Sequence, residues 1–209
     1  MALSKLKASS IDLTDDFAFT GNVTGAGDVT GFKYLDKRVI NVTNGLVSFD
    51  NIFNADYGSY KLVLKITSTV NNSRMAIRFL KASDGLVDTA PNIDYVAHGY
   101  DNDATARNVT ANDSAHWSPM FLEMENVAPA YFDINLHDPF SSTERTMGYM
   151  QGNYMVNIDD DTVTFNSSAS TQVTTSYSGI EITMSTATGG SPAASTLTGY
   201  LLVYGIAGS

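Results

Sequence analysis

The feature that most constrains this chain is a one-by-one alternation of apolar and polar residues. The alternation recurs at residues 61–66, 74–79, 122–125, 132–136 and 180–184. In the first of these segments Leu62, Leu64 and Ile66 fall on one side of an extended chain, and Lys61 and Lys65 fall on the other. Successive side chains of a β-strand point to opposite faces, so the pattern predicts strands with one buried face.

The stretches between these segments are rich in Asn, Asp, Ser and Gly, which favour turns. No segment of ten or more residues shows the 3.6-residue period of an amphipathic helix. About eight to ten strands joined by polar turns predict an all-β fold, a jelly-roll-like antiparallel β-sandwich with an extended N-terminal arm.

The amino-acid composition excludes several classes of protein. A chain of 209 residues with 11% aromatic and only 16% charged residues can bury a large core and differs from disordered chains. The absence of cysteine excludes disulfides and thiolate metal sites. The net charge of −10 argues against a nucleic-acid partner. No apolar run is long enough for a membrane-spanning helix, so no membrane insertion is expected.

The chain is predicted to have two regions, an arm with short β segments at residues 1–44 and the sandwich at residues 45–209. Residues 84–118 contain few alternating positions and are predicted to form a long loop. Residues 1–81 hold ten basic and seven acidic residues, whereas residues 82–209 hold two basic and fifteen acidic residues. This asymmetry indicates either docking of the N-terminal part on an acidic partner or an acidic surface that maintains solubility.

Motifs of well-known catalytic and metal sites are missing from the sequence. Gly-x-Ser-x-Gly, phosphate-binding glycine loops and HExxH do not occur. Asp101 begins a stretch similar to a calcium loop, but Ala106 and Asn112 stand where that loop needs Gly and Glu. The aspartates at 159–161 are interpreted as a solvated turn. No metal, cofactor or catalytic residue is therefore predicted.

One pair of carboxylates remains open as an enzymatic alternative. Glu123 and Glu125 share a face of a predicted strand, which places them roughly 6–7 Å apart. Such a separation is compatible with the carboxylate pair of a glycosidase. Alternating acidic residues on an exposed strand more often maintain solubility, so a polysaccharide depolymerase is the least favoured reading.

Aromatic residues in and beside the predicted loop indicate another kind of site. Proteins bind glycans by aromatic stacking together with hydrogen bonds from polar side chains. Tyr100, His116 and Trp117 are therefore candidates for contact with a glycan. For Trp117, the single tryptophan, a place in the core is the favoured alternative.

Three segments resemble a known group of proteins. They are SSIDLTDDFAFTGNVTGAG at residues 9–27, VSFDNIFNADYGSYKLVLKITSTVNNSRMAIRFLKASDG at residues 47–85, and STLTGYLLVYGIAGS at residues 195–209. Together they resemble small β-rich structural proteins of tailed bacteriophages. The resemblance implies a jelly-roll fold, assembly as a homotrimer and a place on the virion surface after synthesis in the host cytoplasm. It leaves open whether that place is the head or the tail.

This resemblance gives two sets of residues a predicted role. The apolar residues of the arm are candidates for attachment to a capsid or tail platform: Leu3, Leu6, Ile11, Leu13, Phe17 and Phe19. The last strand is apolar on both faces, which suits a trimer axis. Its candidates for an oligomer interface are Tyr200, Leu201, Val203 and Tyr204.

The sequence therefore predicts a non-enzymatic virion structural protein, a trimeric capsid decoration protein or a short fibre or knob anchored through its N-terminal region. Its expected partners are two further copies of the chain and other virion proteins. The alternative is a module of a tail fibre or baseplate that binds a receptor or glycan on the host surface.

Overall fold

The structure is a computed structural model that describes residues 31–70, 73–101, 103–120, 124–126, 128–156, 162–185 and 195–206. The chain divides into two units, residues 1–30 and residues 31–209. The described residues contain eleven β-strands and no helix, so none of them forms a helix that could cross a membrane. This confirms the predicted all-β class.

The strands are β1 (Phe32–Val42), β2 (Leu46–Phe49), β3 (Ser59–Ser68), β4 (Arg74–Lys81), β5 (Ile93–Tyr100), β6 (Ala106–Ser114), β7 (Pro129–His137), β8 (Met147–Met155), β9 (Thr162–Thr171), β10 (Tyr177–Ser185) and β11 (Leu197–Ile206). Eight of them form one sheet in the order β1-β11-β3-β7-β8-β9-β5-β6. The other three form a second sheet in the order β2-β10-β4. The strand pairs are antiparallel, and the arrangement is a jelly-roll-like β-sandwich.

The core consists of the inward side chains of both sheets. Leu62, Leu64 and Ile66 of β3 are fully buried, as their alternation predicts. Ile180 and Ile182 of β10 are equally buried in the smaller sheet. Burying side chains of this size contributes roughly 1.5–3 kcal/mol each, which explains why the alternation dictates the fold.

Trp117 connects the two sheets. Its backbone exchanges hydrogen bonds of 2.8 and 2.9 Å with Ile77 on the free edge of β4. Its indole N–H donates to Ser167 Oγ of β9 at 2.8 Å, and no part of the residue is exposed. A Cβ on Gly148 would lie 2.8 Å from the indole ring, so only glycine fits there without a shift.

The structure corrects the prediction that residues 84–118 form a long loop. Residues 93–114 instead form the β5–β6 hairpin at one edge of the larger sheet. The inward positions of these strands include Ala97, Gly99 and Ala111. Small residues give no clear apolar period, so the pattern did not indicate strands.

β1 lies within the N-terminal region predicted at residues 1–44. Residues 32–42 form β1, an edge strand of the larger sheet that pairs with β11, and the division between units falls after Thr30. β1 has one buried residue, Ile40, and a change of register between Tyr34 and Asp36. A strand with so few buried positions lacks the alternation that marks the others.

Candidate functional site

The outer face of the eight-stranded sheet collects most of the exposed apolar side chains. Ten large hydrophobic side chains are exposed in the described part of the chain, and eight of them occupy outward positions of this sheet. They are Phe32, Tyr34, Val39, Val96, Tyr100, Tyr131, Met147 and Tyr149. Single exposed apolar residues are normal, but a concentration of them marks an interaction surface.

Aromatic rings and lysines occupy the half of this face formed by β1, β11 and β3. The ring of Tyr204 contacts Tyr34 and Phe32 edge-on, with 5.7 and 6.5 Å between ring centres. The Lys61 ammonium lies 5.5 Å from the centre of the Phe32 ring. Aromatic and cation–π contacts of this kind stabilise a surface cluster. We call this cluster, made of Phe32, Tyr34, Lys37, Lys61, Tyr200 and Tyr204, the aromatic–lysine patch.

The four residues predicted as an oligomer interface lie on opposite faces of β11. Leu201 and Val203 are fully buried in the core, which corrects the prediction for these two. β11 is an interior strand between β1 and β3, and its inward side chains belong to the core of the chain itself. Tyr200 and Tyr204 are half-buried on the outer face, and the Lys37 ammonium lies 5.4 Å from the centre of the Tyr200 ring.

Polar side chains line a groove on the other half of the face, across β7, β8 and β9. The groove has a volume of about 270 Å³. Its outward lining consists of Val63, Tyr131, Asp133, Gln151, Asn153 and Thr164. We call it the amide groove. A second groove of about 360 Å³ lies towards β6 and is lined by Val96, Met147 and Ser168, among others.

An ion pair and a hydrogen bond order the residues around the amide groove. Lys61 Nζ lies 2.7 Å from Asp133 Oδ2, and this pair spans the border with the aromatic–lysine patch. Asp133 Oδ1 is buried and accepts no hydrogen bond within the described part of the chain. Tyr149 Oη donates to Asn166 Oδ1 at 2.6 Å and fixes the orientation of that amide.

The structure does not bring together the three residues predicted to contact a glycan. Tyr100 lies on the outer face at the end of β5 and is 57% exposed. Trp117 is in the core and offers no ring face to a ligand. His116 follows β6 at the far end of the hairpin, whereas Tyr100 pairs with Ala106 at the start of β6. Burial, together with the charge of Arg78, lowers the pKa of His116.

The acidic candidates have structural explanations or lie outside the described residues. Glu123 and residues 159–161 are outside them, so the carboxylate pair stays a prediction. Asp101 accepts from the Thr105 N–H at 2.8 Å and pairs with Arg107 at 3.0 Å. Burial tends to raise the pKa of Asp101, but these two contacts outweigh it and hold the pKa below its usual value. Within the described ranges, no three His, Asp or Glu side chains group as a metal site.

The residues predicted for attachment to a virion also lie outside the described residues: Leu3, Leu6, Ile11, Leu13, Phe17 and Phe19. Conversely, the sequence reading missed the roles of Tyr131, Gln151 and Asn153 in the amide groove. Tyr131 directly precedes the alternating run of residues 132–136 in β7, and this alternation is the feature of the sequence that indicates its outward position. The strands that surround it could not be inferred from that run.

Comparison with known proteins gives no match: no family model, curated protein or solved structure is significantly similar to this chain. Support for a function therefore comes from the fold, the aromatic–lysine patch and the amide groove.

Proposed function

We propose that this chain is a non-enzymatic structural protein of a bacteriophage virion, made in the host cytoplasm and placed on the virion surface. It forms a homotrimer and acts as a capsid decoration protein or a short fibre or knob. The observation that carries the proposal is the aromatic–lysine patch. Phe32 and Tyr34 expose more than half of their surface on an edge strand, which is the kind of surface that a protein partner covers.

Charge supports assembly into a closed ring. A cyclic trimer uses two different surfaces of each copy, which must be complementary. The aromatic–lysine patch presents the positive charge of Lys37, and Lys65 lies beside it on β3, whereas the charge of Lys61 is balanced by Asp133. Residues 82–209 carry two basic and fifteen acidic residues. The patch of one copy therefore complements the acidic surface of the next copy.

The outer edge of β1 supports docking of a further segment. Within the described residues β1 pairs with β11 alone, and no described segment pairs with the N–H and C=O groups of its other edge. An extended segment adds to such an edge through backbone hydrogen bonds. In this proposal the apolar residues of the N-terminal arm contact the virion platform.

The mass in solution tests the trimer. With a chain of 22.5 kDa, light scattering is expected to show a species of about 68 kDa at several concentrations. Replacing both Phe32 and Tyr34 with Ser is expected to shift the mass towards the monomer. Leu86→Ser is the matched control, because Leu86 is 64% exposed but lies outside the sheet face. A monomeric parent chain contradicts the trimer.

Binding to emptied virions tests the attachment role. We expect the full chain to bind them, and a variant with Leu13, Phe17 and Phe19 changed to Ser to lose binding while its mass in solution is unchanged. Full binding by that variant would remove the arm from the proposal.

A further inference from the structure

We propose that the amide groove binds a neutral oligosaccharide. This ligand site goes beyond the proposed structural role and does not depend on it. The site differs from the glycan contact predicted from the sequence, since it includes Tyr100 but neither His116 nor Trp117.

Two tyrosines provide stacking surfaces at the ends of the site. Tyr131 is 42% exposed, and the Lys65 ammonium lies 5.6 Å from its ring centre on the β3 side. Tyr100 is 57% exposed, and its neighbours across the two adjacent strands are the small residues Thr164 and Ala106. Three strand spacings separate β7 from β5, so the tyrosines are about 14 Å apart. That span suits an extended chain of several sugar units.

Amide groups occupy the floor between the two tyrosines. Gln151 and Asn153 alternate with buried residues of β8 and are exposed. Neither side chain makes a hydrogen bond within the described part of the chain, so each offers both an N–H donor and a C=O acceptor. Sugar hydroxyls also donate and accept, which makes amides their complementary partners. Thr164 adds a hydroxyl on β9.

The groove is preformed. β7, β8 and β9 are interior strands of the sheet, each paired on both sides. Side chains on such strands are held more rigidly than side chains on loops, so little conformational entropy is lost on binding.

Charge selects a neutral ligand. Among the described residues, Asp133 is the one acidic side chain that lines the groove, and it is paired with Lys61, so their charges cancel. The whole chain carries a net charge of −10, which repels acidic polysaccharides. An uncharged oligosaccharide avoids this repulsion and still uses the tyrosines and amides.

Titration calorimetry of the full chain tests the site. The probes are neutral hexasaccharides of glucose, mannose and galactose, with hexagalacturonate as the acidic comparison. We expect saturable binding of at least one neutral probe and weaker binding of the acidic one. Absence of binding by all neutral probes, or preference for the acidic probe, overturns the proposal.

Matched variants locate the binding. Tyr131→Ala is expected to lower the affinity about two- to tenfold, and Gln151→Ala to lower it as well. Val173→Ala removes an apolar side chain that is 40% exposed, close to the 42% of Tyr131, but lies outside the strands, and is expected to leave the affinity unchanged. Unchanged affinity in a Tyr131→Ala, Asn153→Ala double variant that keeps the parent melting temperature overturns the site. The mass in solution, measured on the same samples, tests the trimer separately.

Discussion

The two halves of the outer sheet face differ in chemistry although both follow the same alternation. On β1, β11 and β3 the outward positions hold aromatic rings and lysines that contact one another, as Tyr34 and Tyr204 do. On β7, β8 and β9 they hold amides and hydroxyls around a groove, together with the exposed Tyr131, Met147 and Tyr149. The first half suits a protein partner and the second a polar ligand. The comparison shows that a period of two fixes which side chains face outward but not what they form together.

The largest expected effect follows from removing the residue that connects the two sheets. Trp117→Ala deletes a fully buried indole and its hydrogen bond to Ser167, so we expect a loss of about 3–5 kcal/mol in the free energy of unfolding. Urea denaturation measures it. Tyr100→Ala, at an exposed position, is the control and is expected to change stability little. Equal stability of both variants would contradict the connecting role of Trp117.

The next effect is confined to the half with the groove. A Cβ on Gly152 would lie 2.7 Å from Phe132 and 2.8 Å from the Tyr131 backbone oxygen. Gly152→Ala is therefore expected to cost about 1–3 kcal/mol and to disturb the groove, but not the mass in solution. Gly31→Ala is the control, because nothing lies within 4 Å of its Cβ position. A destabilised trimer in Gly152→Ala would mean that the halves are not independent.

A smaller effect is expected at the border between the halves. Lys61→Gln removes the ion pair with Asp133, in which both side chains are 28% exposed. We expect a loss of at most about 1 kcal/mol, and a smaller loss in high salt, because partly exposed pairs are screened. Denaturation at low and high salt measures it. Lys81→Gln, which breaks the more exposed pair with Asp84, is the comparison and should have less effect.

The smallest effect lies outside both halves. Because burial and Arg78 lower the pKa of His116, the unfolded chain binds its proton more readily than the folded chain does. Stability from this residue is therefore complete above the usual histidine pKa of about 6.5 and declines as the pH falls below it. His116→Gln is expected to flatten that decline in denaturation curves between about pH 7 and pH 5. An unchanged pH profile would contradict the assignment.

The sequence predicts the fold class well because the strongest alternation lies in the strands that fill the core. The alternation at residues 74–79 places Met75, Ile77 and Phe79 of β4 on one side of the strand, and all three are buried. The prediction of a loop at 84–118 was wrong because several inward positions of β5 and β6, such as Ala97, Gly99 and Ala111, hold small residues that give no clear apolar alternation. The reading of Trp117 as a core residue, the favoured alternative, is confirmed by its complete burial.

The sequence by itself determined that the chain forms β-strands and which side of each strand is apolar, because these follow from the local geometry of an extended backbone. Tertiary structure alone decided the strand order. That order places β11 between β1 and β3, so Tyr204 on its outer face lies against Tyr34 of β1. It also places Tyr131 and Tyr100 at two ends of one surface. Residues so distant in the chain become neighbours through hydrogen-bond register between strands, which no local pattern encodes.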